Sequence, residues 1–112
     1  MRSRGFTLVE IMIVVLIIGI LMSIAVPQFL QARELSRHRT CLSNLHKIEE
    51  AKEVRAMDLR LNTGDPCTMA DIVPAYIRNA PICPAGGAYT ANALGTNATC
   101  SFPGVQYPHV LP

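Results

Sequence analysis

The run of 22 uncharged residues from Ile11 to Ala32 constrains this chain more than any other feature. At 1.5 Å per residue, a helix of that length extends about 33 Å, enough to cross a hydrocarbon layer of about 30 Å. Such a segment cannot join the core of a small soluble domain. We therefore expect residues 6–32 to be a membrane-spanning half-helix, which Pro27 kinks locally by removing one backbone hydrogen bond.

The helix is predicted to continue well beyond the apolar run. From Gln28 to Leu61 the chain contains neither glycine nor proline, and most of its residues are good helix formers. The sequence "NTGDP", residues 62–66, then supplies the glycine and following proline that typically end a helix. One long helix from Phe6 to Leu61 is therefore expected.

The second half of this helix, residues 33–61, is predicted to be amphipathic. Its apolar stripe, at spacings of three and four residues, consists of Cys41, Leu42, Leu45 and Ile48. The remaining faces carry the charged residues Glu34, Arg37, Arg39, Lys47, Glu49, Glu50 and Lys52. We expect the C-terminal part of the chain to cover the stripe and the charged side chains to face solvent.

Residues 62–112 are predicted to form a small head. Thr68 and Asp71 have the spacing of a capping box, which predicts a short helix before Pro74. Two extended runs, Ala88–Leu94 and Ala98–Phe102, are joined by "GTN" and predict an antiparallel hairpin. The expected fold class is α+β, with one long N-terminal helix packed on this head.

Charge excludes several classes of function. Arg2 and Arg4 account for the whole net charge of +2, and after Arg60 only Asp65, Asp71 and Arg78 are charged. Arg33, Arg37 and Arg39 lie next to the apolar run, where arginine contacts lipid headgroups. Glu34, Glu49 and Glu50 offset the charge of the basic group that these arginines form with Lys47. Nucleic acid is therefore not an expected principal partner. The sequence contains no phosphate-binding loop or nucleophile motif, so neither an enzyme nor a cofactor is expected.

Four cysteines invite a disulfide. On the predicted helix Cys41 lies about 30 Å before the end, whereas the six residues to Cys67 span only about 20 Å, which argues against a bond between Cys41 and Cys67. Cys83 and Cys100 flank the hairpin, and a bond between them would add about 3 kcal/mol of stability. We expect this disulfide, with Cys41 as a small apolar residue and Cys67 as a free thiol or alternate partner. His38 and Cys41 alone lack a third ligand, so no metal site is predicted.

The N-terminus allows two ordinary interpretations. One is a secretory signal peptide with arginines in its first region and cleavage after Ser23-Ile24-Ala25. The other is a plain membrane anchor, which gives Gly5 and Glu10 no role. A carboxylate in a bilayer costs about 2.5 to 3.5 kcal/mol, so Glu10 indicates a function.

The sequence "RGFTLVE", residues 4–10, resembles the cleavage motif of type IV prepilins and type II secretion pseudopilins. The resemblance implies a leader of residues 1–5, cleavage between Gly5 and Phe6 by a prepilin peptidase, and N-methylation of Phe6. Pro27 lies where such subunits often carry a helix-kinking proline. The stretches "CLSNLHKIEEAKE" and "CPAGGAYT" followed by "TC" are also similar to small pilin-like proteins.

The resemblance also implies a pilin-like fold and an assembly mechanism. Glu10 of one subunit would meet the Phe6 amine of a neighbour in a filament of such subunits. The implied partners are the peptidase and methyltransferase, an inner-membrane assembly machinery, and the lipid bilayer before assembly. The head would be exported and the N-terminus cytoplasmic. The chain lacks tryptophan and the calcium-binding loop of the major secretion pseudopilin, which favours a pilus subunit over that alternative.

Overall fold

The computed structural model describes residues 2–112, so Met1 of the predicted leader lies outside the described residues. The described chain contains two helices and two strands: α1 (Leu8–Leu59), α2 (Met69–Ile72), β1 (Tyr89–Thr90) and β2 (Thr99–Cys100). The predicted α+β, pilin-like fold class is confirmed. The chain divides into two compact units, the first ending at Arg33 and the second spanning Glu34–Pro112.

The first unit consists of the N-terminal residues and the apolar part of α1. Every residue of α1 up to Arg33 is exposed. The most apolar 18-residue window of α1 has a mean hydropathy of 2.9, and none of it is buried inside the protein. By length and composition α1 therefore contains a segment that is able to cross a membrane.

α1 begins at Leu8 rather than at the predicted Phe6 because Thr7 caps it. The Glu10 backbone N–H donates to Thr7 Oγ1 at 3.2 Å, and the Thr7 backbone N–H donates to Glu10 Oε2 at 2.7 Å. This reciprocal pair is a capping box, which fixes the first helical residue.

The end of α1 lies at Leu59, two residues before the predicted Leu61. Arg60 takes a left-handed conformation with φ 53°, and the Leu61 N–H donates to the Ala56 carbonyl at 2.9 Å. This bond pattern is the Schellman motif, which closes the last turn. Gly64, which the sequence predicted as the stop signal, instead occupies the following loop, where its N–H donates to the Leu94 carbonyl at 2.8 Å.

The core of the second unit forms on the predicted stripe of α1. Cys41, Leu45 and Ile48 are all 0% exposed, and Leu42 is half-buried. Their neighbours in the core come from the C-terminal part of the chain and include Ile72 and Ala91. The prediction that this part covers the stripe is therefore confirmed.

The prediction that Lys52 faces solvent is wrong, because its side chain is only 1% exposed. Lys52 Nζ donates to Glu49 Oε1 at 3.1 Å and to the Thr96 carbonyl at 2.5 Å. The same Glu49 oxygen accepts the backbone N–H of Ala98. A buried charge is tolerated when it is paired and hydrogen-bonded in this way, and the pair connects α1 to the segment that precedes β2.

The short helix α2 confirms the predicted helix before Pro74. The Thr68 backbone N–H and hydroxyl both donate to Asp71 Oδ2 at 2.8 Å. Arg55 of α1 lies 3.9 Å from the Asp71 carboxylate, and the Tyr76 hydroxyl donates to Asp58 of α1 at 2.8 Å. These contacts hold the α2 region against α1.

The predicted hairpin is present, but its strands are shorter than the two extended runs. β1 and β2 pair antiparallel, with Tyr89 opposite Cys100 and Thr90 opposite Thr99. Asn92 has a positive φ of 59°, and its side-chain amide donates to the Asn97 carbonyl at 2.9 Å. This side chain takes the place of a backbone partner, so the ladder stops after two residue pairs.

The capping contacts of Asp71 predict a specific pH dependence. The backbone N–H of Thr68 and then its hydroxyl lower the pKa of Asp71. Because this pKa is lowered in the folded state, the ionised Asp71 carboxylate stabilises α2 at pH values above the ordinary aspartate pKa. This contribution is lost as the pH falls through the pKa that Asp71 has in the folded state. We expect an NMR titration of the full chain in detergent micelles to place the Asp71 midpoint below 3.8. In T68A, which lacks the hydroxyl, the midpoint should rise, and an unchanged midpoint would contradict the assignment.

Candidate functional sites

The predicted cleavage site lies in an accessible segment before α1. Gly5 and Phe6 belong to no helix or strand, and Phe6 is 86% exposed. A side-chain carbon built on Gly5 would meet nothing within 4 Å. A peptidase therefore has open access to the bond between these two residues. That this bond is the one cleaved stays a prediction.

Glu10 caps α1 in its own chain, a role that the sequence analysis missed. Besides the two backbone contacts, the Thr7 hydroxyl lies 3.1 Å from Glu10 Oε2, within hydrogen-bond distance. A negative charge at this position also interacts favourably with the positive end of the helix dipole. The signal was available, because "TLVE" has the Thr-x-x-Glu spacing of a capping box.

The surroundings of Glu10 are apolar. It is the only acidic residue before Glu34 in the sequence, and Val9 and Ile11 on either side of it are exposed. A carboxylate in such surroundings favours a cationic partner once water is excluded. The geometry thus gives Glu10 a structural role in the isolated chain and leaves a charged group available for a partner chain.

Pro27 lies inside α1, as predicted. It has no N–H to donate to the carbonyl of Ser23, four residues earlier. The Ser23 hydroxyl donates to the Ile20 carbonyl at 2.7 Å, in the turn just before. The predicted kink at Pro27 stays a prediction.

A second candidate site lies in the second unit, where three thiols and one imidazole come together. One ligand atom from each of Cys41, Cys83, Cys100 and His109 lies within 4.8 Å of all the others. The Cys83 Sγ and His109 Nδ1 atoms are 3.6 Å apart. Cys41 is 0% exposed, Cys83 and His109 are each 2% exposed, and Cys100 is half-buried.

Burial and hydrogen bonds set the acidity of these groups. Burial raises the pKa of Cys41 to about 12, despite the opposing contact with Tyr89. Burial also acts to raise the pKa of Cys83, but the backbone N–H groups of Ala85 and Gly87 and the neighbouring thiols outweigh it, so this pKa is lowered. Burial, and next the charge of His38, lower the pKa of His109 and favour a neutral imidazole.

The cysteines differ from their predicted arrangement. Within residues 2–112 all four cysteines are present as free thiols. The bond predicted between Cys83 and Cys100 is therefore not seen, and it stays a prediction. Cys41 was expected only to pack as an apolar residue, yet its sulfur lies beside theirs. Cys67 is buried but does not belong to the cluster.

A close backbone approach helps to form the cluster. A side-chain carbon at Gly87 would lie 2.5 Å from Cys100 Sγ, so only glycine fits there without a shift. Gly86, with φ +90°, makes the turn that follows Cys83. The "CPAGG" sequence was the available signal of this turn, although nothing in it identifies the distant partners Cys41 and His109.

Comparison with known proteins identifies relatives for both units. A family model described as the prokaryotic N-terminal methylation motif matches residues 1–26. The type IV major pilin protein PilA of Myxococcus xanthus is 46% identical over 52 residues, which is 46% of this chain and 24% of that pilin. The type II secretion system core protein G of Pectobacterium carotovorum is 37% identical over 57 residues, 51% of this chain and 36% of that protein.

These two matches cover well under half of each relative's own length. No solved structure matches the chain. The type II secretion system core protein G of Klebsiella michiganensis is 32% identical over 104 residues, covering 78% of this chain and 71% of that protein. Together with the N-terminal motif, this longer match shows that the chain belongs to the family of type IV pilins and type II secretion pseudopilins.

Proposed function

We propose that this chain is a structural subunit that is cleaved between Gly5 and Phe6, methylated on the Phe6 amine, and polymerised into a type IV pilus or a related filament. The observation that carries the proposal is the first unit: a wholly exposed apolar helix that begins beside a single carboxylate, Glu10. In a filament, the helices of neighbouring subunits would bury this apolar surface. They would take the place of the lipid that surrounds the precursor.

Cleavage would create the partner that Glu10 needs. The new α-amine of Phe6 is protonated near neutral pH, where a carboxylate is ionised. Two charges in apolar surroundings are tolerated when they pair. Pairing of Glu10 in one subunit with the Phe6 amine of its neighbour would set the axial position of the incoming subunit.

The same proposal assigns locations and partners. The precursor spans the inner membrane once, with its N-terminus in the cytoplasm and residues 34–112 exported. A prepilin peptidase and N-methyltransferase process it there, and a membrane assembly machinery extracts it into the filament. The family consists of structural subunits, and no enzymatic activity is proposed.

The intact mass and N-terminal sequence of the protein, extracted from membranes of its native host, test this proposal. We expect a chain that begins at Phe6 and is heavier by one methyl group, because Gly5 and Phe6 are accessible to a peptidase. As a control, G5L should block cleavage, because the added side chain would lie next to the bond to be cleaved, inside the active site of the peptidase. A chain that begins at Val26 would instead identify an ordinary signal peptide and contradict the proposal.

A pseudopilin of a type II secretion system is the second candidate. The match to the Klebsiella protein extends over 104 residues, whereas the match to the Myxococcus pilin covers 52. The chain lacks tryptophan, against the pattern of the major secretion pseudopilin. Deletion of the gene in the native host separates the two: loss of surface pili indicates a pilin, and loss of exoprotein secretion indicates a pseudopilin.

A further inference from the structure

We propose that Cys41, Cys83, Cys100 and His109 form a structural zinc site that holds the second unit together. No part of the filament mechanism uses these four residues. Their ligand atoms lie within 4.8 Å of one another, and three of the four residues are at most 2% exposed. The inference goes beyond the proposed function, because it concerns the fold of residues 34–112 whatever filament they belong to.

The spacing of the four atoms suits a tetrahedral zinc ion. Zinc binds cysteine sulfur at about 2.3 Å, so the sulfurs of a tetrahedral site are about 3.8 Å apart. The Cys83 Sγ to His109 Nδ1 distance of 3.6 Å has this size, and the upper limit of 4.8 Å leaves a contraction of about 1 Å or less at any edge. Three sulfurs and one imidazole nitrogen are a ligand set of structural zinc sites, and they leave no position open for a substrate.

The four residues come from four separate segments of the second unit. Cys41 lies on α1, Cys83 in the loop between α2 and β1, Cys100 on β2, and His109 in the C-terminal tail. A single ion would therefore connect the helix, the loop, the sheet and the tail. The sheet has only two residue pairs and the core is small, and domains of this size usually need a disulfide or a metal for stability.

The protein surrounds the ligands as a metal site requires. Gly87 leaves room for the Cys100 sulfur to approach. The His109 ring packs against Phe102, with ring centroids 4.7 Å apart, which fixes its orientation. Binding releases three thiol protons to solvent and leaves a zinc-trithiolate-imidazole centre with a net charge of −1.

A disulfide explains the cluster less completely. It would join two of the three sulfurs and leave the third thiol and His109 buried beside it without a role. A zinc ion uses all four groups. Oxidising compartments favour disulfides, so the experiment must distinguish a bound metal from an oxidised pair.

The test measures metal in the full-length chain, purified in detergent without chelator. We expect mass spectrometry of the metal content to give one zinc per chain, and thiol alkylation under denaturing conditions to find the cysteines reduced. Replacement of zinc by Co²⁺ should give the intense visible bands of tetrahedral cobalt with thiolate ligands. A metal-free chain lighter by two hydrogens, with a disulfide inside the cluster, would overturn the proposal. A weak cobalt spectrum of the six-coordinate type would overturn it as well.

Variants locate the ligands. C83S and H109Q should lose the zinc, whereas C67S should retain it, because Cys67 is equally a buried cysteine but lies outside the cluster. H109C supplies a fourth thiolate and should restore binding, with a shifted cobalt spectrum that a merely structural role for His109 would not produce. Equal loss of zinc in C67S and C83S would refute this ligand set.

Discussion

E10Q should be cleaved and inserted into the membrane as efficiently as the wild type, yet its incorporation into filaments should fall by more than tenfold. Glutamine at this position keeps a side-chain oxygen for the Thr7 N–H and hydroxyl, so α1 remains capped. It carries no charge for the Phe6 amine of a neighbour. A charge pair 4 Å apart is worth about 4 kcal/mol at an effective dielectric constant of about 20, and each 1.4 kcal/mol is a factor of ten. Desolvation of the two groups offsets part of this energy.

The matched control is T7A, which removes the hydroxyl and leaves the charge of Glu10. It should weaken the start of α1 by about 1 kcal/mol and still assemble. Quantitative immunoblots of sheared filaments and of membranes measure both variants in the native host. Normal incorporation of E10Q together with poor incorporation of T7A would show that Glu10 acts only as a helix cap and would remove the charge-pair mechanism.

I48A should destabilise the second unit by about 2 to 5 kcal/mol, the usual cost of truncating a fully buried aliphatic side chain. Ile48 is 0% exposed and is the last residue of the stripe that the C-terminal part covers. Chemical unfolding of the full chain in detergent measures the effect, with hydrogen exchange in residues 62–112 as the probe. These residues report on the second unit without a signal from the apolar half of α1.

Met57 provides the control on the same helix. Its side chain is 73% exposed, so M57A should change the free energy of unfolding by less than about 0.5 kcal/mol. Equal effects of the two substitutions would mean that the stripe is not the core of the unit. The predicted apolar stripe ends at Ile48, and Met57 lies beyond it on the same helix.

Local patterns in the sequence predicted the helices well. Charge, hydropathy and the spacing of Leu45 and Ile48 identified α1 and its buried face, and the Thr68–Asp71 spacing identified α2. The end of α1 was predicted too late because glycine is the usual residue in the left-handed position after a helix. In this chain Arg60 occupies that position, before the first glycine is reached. The strands were overestimated because a side chain, Asn92, replaces a backbone partner of the ladder.

Contacts between distant residues could not be predicted in this way. Lys52 is charged and was assigned to solvent, but its partner Thr96 lies 44 residues further along the chain. The thiol and imidazole cluster likewise draws on four segments, and no short motif contains more than one of its ligands. Periodicity describes one element at a time, whereas these groups are brought together only by the packing of several elements.

The exposure of α1 up to Arg33 has a consequence for how substitutions there would be detected. Because the apolar side chains of this segment are exposed, truncating them removes no buried core contact, and the folding stability of an isolated subunit depends little on them. A mutational screen that reads abundance or protease resistance of the monomer would therefore score this segment as permissive, and only a screen for polymer would reveal its selective constraint. The apolar residues in the N-terminal third of this sequence therefore encode information about the membrane and the assembled state rather than about the fold of the single subunit.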